Sequence, residues 1–253
     1  MDDAHITSSM AQGVLELRFN RSEKKNAITN AMYGALADAI FAAGDDAEVR
    51  AILFTAAGDF FSAGNDIGDF AATAGGAIDG APRHVGRFLE ACICAEKPLV
   101  AAVQGHAVGV GVTMLLHCDL VYVAEGARLT TPFVDLGLTP ENASSLTMPA
   151  RMGHAHAFAM LGLGEPLIGR DAVAVGLANA ALPVSEVEPR ARAAAQALAQ
   201  KPAQALRIVK KLMRDPATLM ARMQEEGVLF AERLQSDEAR AAFAAFLSRR
   251  SAG

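Results

Sequence analysis

The sequence is short of several things, and each shortage removes a class of function. It holds three cysteines, Cys92, Cys94 and Cys118, among 253 residues. The count is odd and two of them lie two apart, so a disulfide framework is not expected. No second ligand pair follows Cys92 and Cys94 at metal-binding spacing, and buried free thiols are the expectation. Basic residues are not in excess. The formal net charge is −5, which leaves no footprint for a phosphate backbone, although a local basic pocket for a small anion stays open. The first ten residues, MDDAHITSSM, carry two acids and no apolar stretch, so no signal peptide is expected. No apolar run reaches the length of a membrane span. These absences place the chain, as an expectation, in a reducing cytoplasm. There is also no solenoid repeat, no G-x-S-x-G nucleophile elbow and no Gly-Lys-Ser/Thr phosphate loop.

What is present describes a globular α/β protein. Hydrophobic residues make up 52% and charged residues 20%, a balance that can build a core. The length suits one large domain, or a domain with an appendage. Residues 13–20 (GVLELRFN) alternate apolar and polar, the mark of a half-buried strand. Segments 50–56, 98–105 and 119–125 are continuous apolar runs, which predict strands covered on both faces. Helical spacing over 30–43, with Thr29 or Asn30 as cap, over 82–95 and over roughly 110–117 fills the gaps between strands. The alternation predicts a mostly parallel sheet with right-handed crossovers. Residues 73–82 (TAGGAIDGAP) have no period and read as a mobile loop. After about residue 185, segments 186–213, 216–235 and 237–248 are helical in pattern, with Pro202 and Pro216 marking starts.

Three segments carry candidate chemistry. The loop 60–70 (FFSAGNDIGDF) follows a strand, and its Gly-Asn turn leaves backbone N–H groups seeking acceptors. Alone it is equally an ordinary strand-to-helix turn. The loop 104–114 (QGHAVGVGVTM) follows a buried strand and opens a helix. Its glycines allow close backbone approach, and the helix start adds unpaired N–H groups. The dinucleotide fingerprint would need glycine at 114, which is Met114. The loop therefore suits one developing negative charge better than a polyphosphate. Alternatively, the glycines serve tight helix–strand packing. The third segment, 130–146, sets Glu141 after Pro140 before a helix starting near Asn142 or Ala143. Such a glutamate either complements the helix dipole or, among Phe133, Leu136, Leu138, Leu146 and Met148, has its pKa raised into the range of a general base. The histidines form no constellation, and His106 reads as a loop side chain rather than a catalyst. The expectation is an enzyme whose reaction centre is built from backbone N–H groups of residues 62–66 and 108–111.

Taken together, NRSEKKNAIT (20–29), FFSAGNDI (60–67), the stretch 97–123, TPFVDLGLTPENASS (131–145) and GLANAALP (176–183) resemble the crotonase, or enoyl-CoA hydratase/isomerase, superfamily. The resemblance implies a ββα-repeat spiral core over 1–185 and a C-terminal helical trimerisation region over 186–253. It implies an acyl-CoA thioester substrate, no cofactor beyond the coenzyme A of that substrate, and a homotrimer or dimer of trimers. By motif position the oxyanion-hole N–H groups would belong to Ala63 and Val110. Lys24, Lys25, Ala27, Asp66, Ile67, Gly109 and Phe133 would contact coenzyme A or the acyl group. Two glutamates typical of hydratases are replaced, by Thr113 and Phe133. Glu141 falls where the Δ3,Δ2-enoyl-CoA isomerases of the family place their single base. The leading expectation is therefore an isomerase in which Glu141 takes a proton from C2 and returns it at C4. The alternatives are hydration or another crotonase-type lyase or hydrolase reaction, with Asp135 or Glu141 as base, and a non-catalytic acyl-CoA-binding protein.

Overall fold

The computed structural model describes residues 4–66, 68 and 83–251. Its centre is a six-stranded sheet in the order β1 (Ile6–Ala11), β2 (Val14–Phe19), β3 (Ala51–Ala56), β5 (Leu99–Val103), β7 (Leu120–Ala124) and β10 (Ala180–Leu182). Every pairing is parallel except β1 with β2, a hairpin in the register Ile6 to Phe19. All six residues of β3 and all five of β5 are buried. Continuous apolar runs of this kind are stable only where both sheet faces are covered.

A second sheet of four short strands follows the order β4 (Phe60–Ser62), β6 (His106–Val108), β8 (Arg128–Thr130) and β9 (Leu167–Ile168). Each of β3–β4, β5–β6 and β7–β8 sends its first strand to the large sheet and its second to the small one. A helix then follows: α2 (Val85–Cys94), α3 (Val110–Thr113) or α4 (Ser144–Leu163). This is the ββα repeat implied by the resemblance. The sequence pattern does not reveal the small sheet, because two or three residues are too few to show a period of two. It also does not reveal β1, an edge strand with only Ile6 buried.

The first helix, α1 (Asn30–Asp45), starts at Thr29, whose side chain accepts from the Met32 N–H at 3.2 Å. It packs on α2. The stretch predicted helical over 110–117 is a single α-turn, α3, followed by a 3-10 turn over Met114–His117, so little macrodipole accumulates there. The short α5 (Gly169–Ala172) precedes β10. The predicted helical stretch 186–213 is two helices, α6 (Val184–Ala199) and α7 (Ala203–Met213). They part at Pro202, which cannot donate to an ongoing helix. Through Val187, Ala191 and Ala195, α6 buries its apolar stripe against β3, β5 and β7. Asp215 caps α8 (Pro216–Leu234), and α9 (Asp237–Ser251) packs on the 3-10 turn Val134–Leu136. The three cysteines are free thiols, but Cys94 is exposed rather than buried, because it is the last residue of α2.

Candidate active site

The site is assembled from the bottom by three chain segments that bind each other's backbone. After the 3-10 turn Ser22–Lys24, Lys25 and Asn26 both adopt left-handed conformations. Asn26 is fully buried, and its side chain is satisfied on every side. It accepts from the Arg21 N–H at 2.8 Å and donates to the carbonyls of Ala57 and Phe60 at 2.8 and 2.7 Å. Beyond it the chain runs beside loop 62–66. The Ile28 N–H donates to Gly64 O, and the Asp66 N–H donates to Ile28 O. The loop in turn presses on the segment 108–111. A Cβ on Gly64, where φ is 83°, would lie 2.8 Å from Val108 O, and one on Gly111 would lie 2.9 Å from Ser62 O. Two glycines thus permit a backbone-to-backbone approach that no larger residue allows.

Bookkeeping of the N–H groups corrects one expected donor. The Ala63 N–H donates to Lys25 O at 2.9 Å, so it is not available to a substrate oxygen. The segment 24–27, docking on the loop, has taken it. Among the described residues, the N–H groups of Asn65 and Val110 have no hydrogen-bond partner. Gly109, at φ 55°, donates its own N–H to Thr130 O at 2.9 Å and turns the chain so that Val110 opens α3. Asn65 and Val110 both line a cavity of about 130 Å³, with Phe133, Leu136, Leu138 and Phe230 as apolar walls.

A neighbouring cavity of about 350 Å³ shares Asn65 and Phe230 with the first. Its walls include Ile28, Leu89, Met223 and Leu234, with Glu141, Tyr33 and Asp66 as polar members. Asp66 is in an ion pair with Arg21 at 2.6 Å. Among the described residues, no ion pair includes Glu141, although Arg83 lines the same cavity. The residue keeps some exposure to the cavity, yet protein crowds its carboxyl. Burial pushes its pKa up from 4.5 to about 7, a Thr113 hydrogen bond opposes the rise, and the charge of Glu226 adds to it. The Thr113 hydroxyl donates to Glu141 Oε1 at 2.5 Å. Burial, and then the Glu141 charge, hold the Tyr33 phenol well above its ordinary pKa. Tyr33 donates to Asn65 Oδ1 at 2.6 Å and so fixes the loop from the α1 side.

The turn carrying Glu141 is unusual. Asn142 and Ala143 are consecutive non-glycine residues at φ 62° and 55°. Ala143 therefore leads into α4 with no side-chain cap of its own. Glu226 of α8 supplies the acceptor, taking the Ser145 N–H at 2.9 Å. A carboxylate at a helix start is favoured by the unpaired N–H groups there.

A family model described as enoyl-CoA hydratase/isomerase matches residues 9–253. The chain belongs to that family. Enoyl-CoA delta isomerase 2 of Rattus norvegicus is 38% identical over 243 residues, covering 94% of this chain. The chain spans 62% of that relative's length. A crystal structure of an enoyl-CoA hydratase/isomerase from Pseudoalteromonas atlantica T6c superposes with a TM-score of 0.92 at 38% identity, covering 97% of each chain. A crystal structure of an enoyl-CoA hydratase from Mycobacterium avium subsp. paratuberculosis K-10 gives a TM-score of 0.86 at 29% identity, covering 97% of this chain and 96% of that one.

Against this family background, the predicted site residues separate into groups. Glu141, Asp66, Ala63, Gly109, Val110 and Phe133 line the two cavities. Phe133 packs with Leu138 and Ala239 in a small apolar cluster. Lys24 and Lys25 line neither cavity; the Lys25 ammonium sits 5.0 Å from the Phe60 ring centroid. The Ala27 carbonyl accepts from Arg21 at 3.0 Å. Ile67 and the segment 73–82 lie outside the described residues. Asp135, expected as an alternative base, is exposed and lines neither cavity. His106 accepts the Arg128 N–H at 3.0 Å and meets Phe60 edge-on, a packing role. Sequence reasoning missed Tyr33, Asn65, Arg21 and Glu226. Asn65 stands in the loop 60–70, two residues after Ala63. Glu226 lies 85 positions from Glu141 in an amphipathic helix and carries no local signal.

Proposed function

We propose that this protein is a Δ3,Δ2-enoyl-CoA isomerase. The observation that carries the reading is Glu141: a carboxyl with no ion-pair partner among the described residues, its pKa raised by burial to about 7, set in a largely apolar, acyl-sized cavity and hydrogen-bonded to Thr113. Proton removal from C2 of a 3-enoyl thioester requires a base poised near the working pH. The same carboxylic acid, once protonated, returns the proton at C4. No activated water is needed. Negative charge develops on the thioester oxygen of the dienolate. The partner-free N–H groups of Asn65 and Val110 are the donors for it, and each such donor contributes about 3 kcal/mol in comparable enzymes. Thr113 and Phe133 stand at the two positions where hydratases carry their glutamates, so neither position supplies a carboxylate to a hydration reaction.

The apolar lining from Ile28, Leu89, Met223 and Leu234 accepts the acyl chain. A panel of CoA esters scored for isomerisation, hydration and hydrolysis tests the reading. Turnover of 3-enoyl-CoA to 2-enoyl-CoA, with hydration of 2-enoyl-CoA much slower, is expected. Hydration as the faster activity sinks the isomerase assignment and leaves the family membership intact. Assembly into a trimer or dimer of trimers belongs to the same proposal, supported by the exposed Ile208, Val209, Leu212 and Met213 on α7.

A further inference from the structure

The base turn at 141–143 is held in part from outside the cavity, by His117, which does not line it. Two successive left-handed non-glycine residues persist only where their surroundings over-determine them. Asn142 is the centre of that support. Its carbonyl accepts from His117 Nε2 at 2.9 Å, and its side-chain amide donates to Thr113 Oγ1 at 3.4 Å. Thr113 then donates to Glu141. His117 is fully buried and lies at the end of the 3-10 turn after α3. Arg214 Nη2 lies 2.8 Å from His117 Nδ1, and Arg214 Nη1 donates to the His117 carbonyl at 2.8 Å. A guanidinium has no acceptor. Nδ1 must therefore accept, which leaves the ring proton on Nε2, where Asn142 O needs it. Arg214 stands between α7 and α8, and α8 supplies Met223, Gly227 and Phe230 to the Glu141 cavity. Neither His117 nor Arg214 lines that cavity.

We propose that the Arg214–His117 pair is a positioning device for the general base: Arg214 fixes the neutral Nε2–H tautomer of His117, and His117 pins the Asn142 carbonyl, which holds the left-handed turn and aims Glu141. The device ties the seating of the α7–α8 helical arm to the geometry of the base. The proposal rests on the reading of Glu141 as that base. The ring stays neutral at working pH, because burial and then the Arg214 charge push its pKa down to about 3. It is a fixed donor and not a titrating switch.

His117→Leu, His117→Gln and Arg214→Met, compared with wild type and Glu141→Gln, test this by kcat, KM and pH profile on 3-enoyl-CoA, with Tm measured alongside. Loss of the pin is expected to lower kcat about 10- to 100-fold while KM stays near wild type, as for misplacement of a reacting group by an ångström or less. The pH of half-maximal kcat is expected to fall below that of wild type, because a loosened turn admits water to the Glu141 carboxyl. The other groups that face Glu141, the Thr113 hydroxyl on α3, the Tyr33 phenol on α1 and Glu226 on α8, are unchanged in these variants. His117→Gln keeps an N–H near the Nε2 position and is expected to recover most of the loss. Wild-type kcat and pH profile in His117→Leu and Arg214→Met, with only Tm or KM altered, overturn the proposal. Should His117→Leu not fold, Arg214→Met decides by the same criterion. A Glu141→Gln enzyme that still turns over instead overturns the base assignment, and that result is read independently of the other three.

Discussion

At the scale of single residues, Glu141, as the proposed base, trades stability for reactivity. Its carboxyl titrates near 7 in the folded chain and near 4.5 when unfolded. Between those values the native state binds more protons than the unfolded state, so stability falls as pH rises through this window. The full penalty, at most about 3 kcal/mol, applies above the folded pKa. Glu141→Gln is therefore expected to raise Tm by about 5 °C at pH 8.5 and by less at pH 5, read by thermal unfolding. Activity runs the other way, because the base works ionised: kcat/KM is expected to rise with pH through about 7. Glu226 contributes to that value through its charge. Glu226→Gln keeps an acceptor for the Ser145 N–H but removes the charge, so the midpoint of the pH–rate profile is expected to move down. An unmoved midpoint would contradict the electrostatic account.

At the scale of elements, the meeting of loops 62–66 and 108–111 decides the site. Gly111 leaves no room for a Cβ beside Ser62 O. Gly111→Ala is expected to cost roughly 1–3 kcal/mol of stability and to lower kcat by displacing Val110. Denaturant unfolding and steady-state kinetics check both. The strands β3, β5 and β7 were legible because buried parallel strands announce themselves as apolar runs. The strands β4, β6, β8 and β9 were not, since their stability comes from pairing rather than from any pattern their two or three residues display. The proposed oxyanion donors show the same limit more sharply. Motif position leads to loop 62–66, and Val110 stays a partner-free N–H. Only the docking of residues 24–27 reveals that the Ala63 N–H is taken by Lys25 and that Asn65 is the group left over. Which amide is consumed by a distant backbone is a tertiary fact, absent from spacing.

At the scale of the molecule, the cavity that holds Glu141 draws on residues from Ile28 to Leu234. The C-terminal helices read as a separate appendage in sequence, yet α6 covers the large sheet and α8 walls the cavity that holds Glu141. From that arm Glu226 takes the Ser145 N–H and Arg214 bonds His117, and neither stands in a motif. The exposed apolar face of α7, including Leu212 at 81% and Met213 at 79% exposure, accords with the proposed assembly. Light scattering is expected to give three or six chains per particle, and a monomer would exclude it. The central claim is that one carboxylate moves one proton between two carbons. Its most direct measurement is turnover of 3-enoyl-CoA at pH 8 by wild type and Glu141→Gln under identical conditions. The account predicts conversion to the 2-enoyl ester by wild type and a loss of about 10²–10⁴-fold in the variant with substrate binding retained. Conversion by Glu141→Gln at the wild-type rate would contradict it.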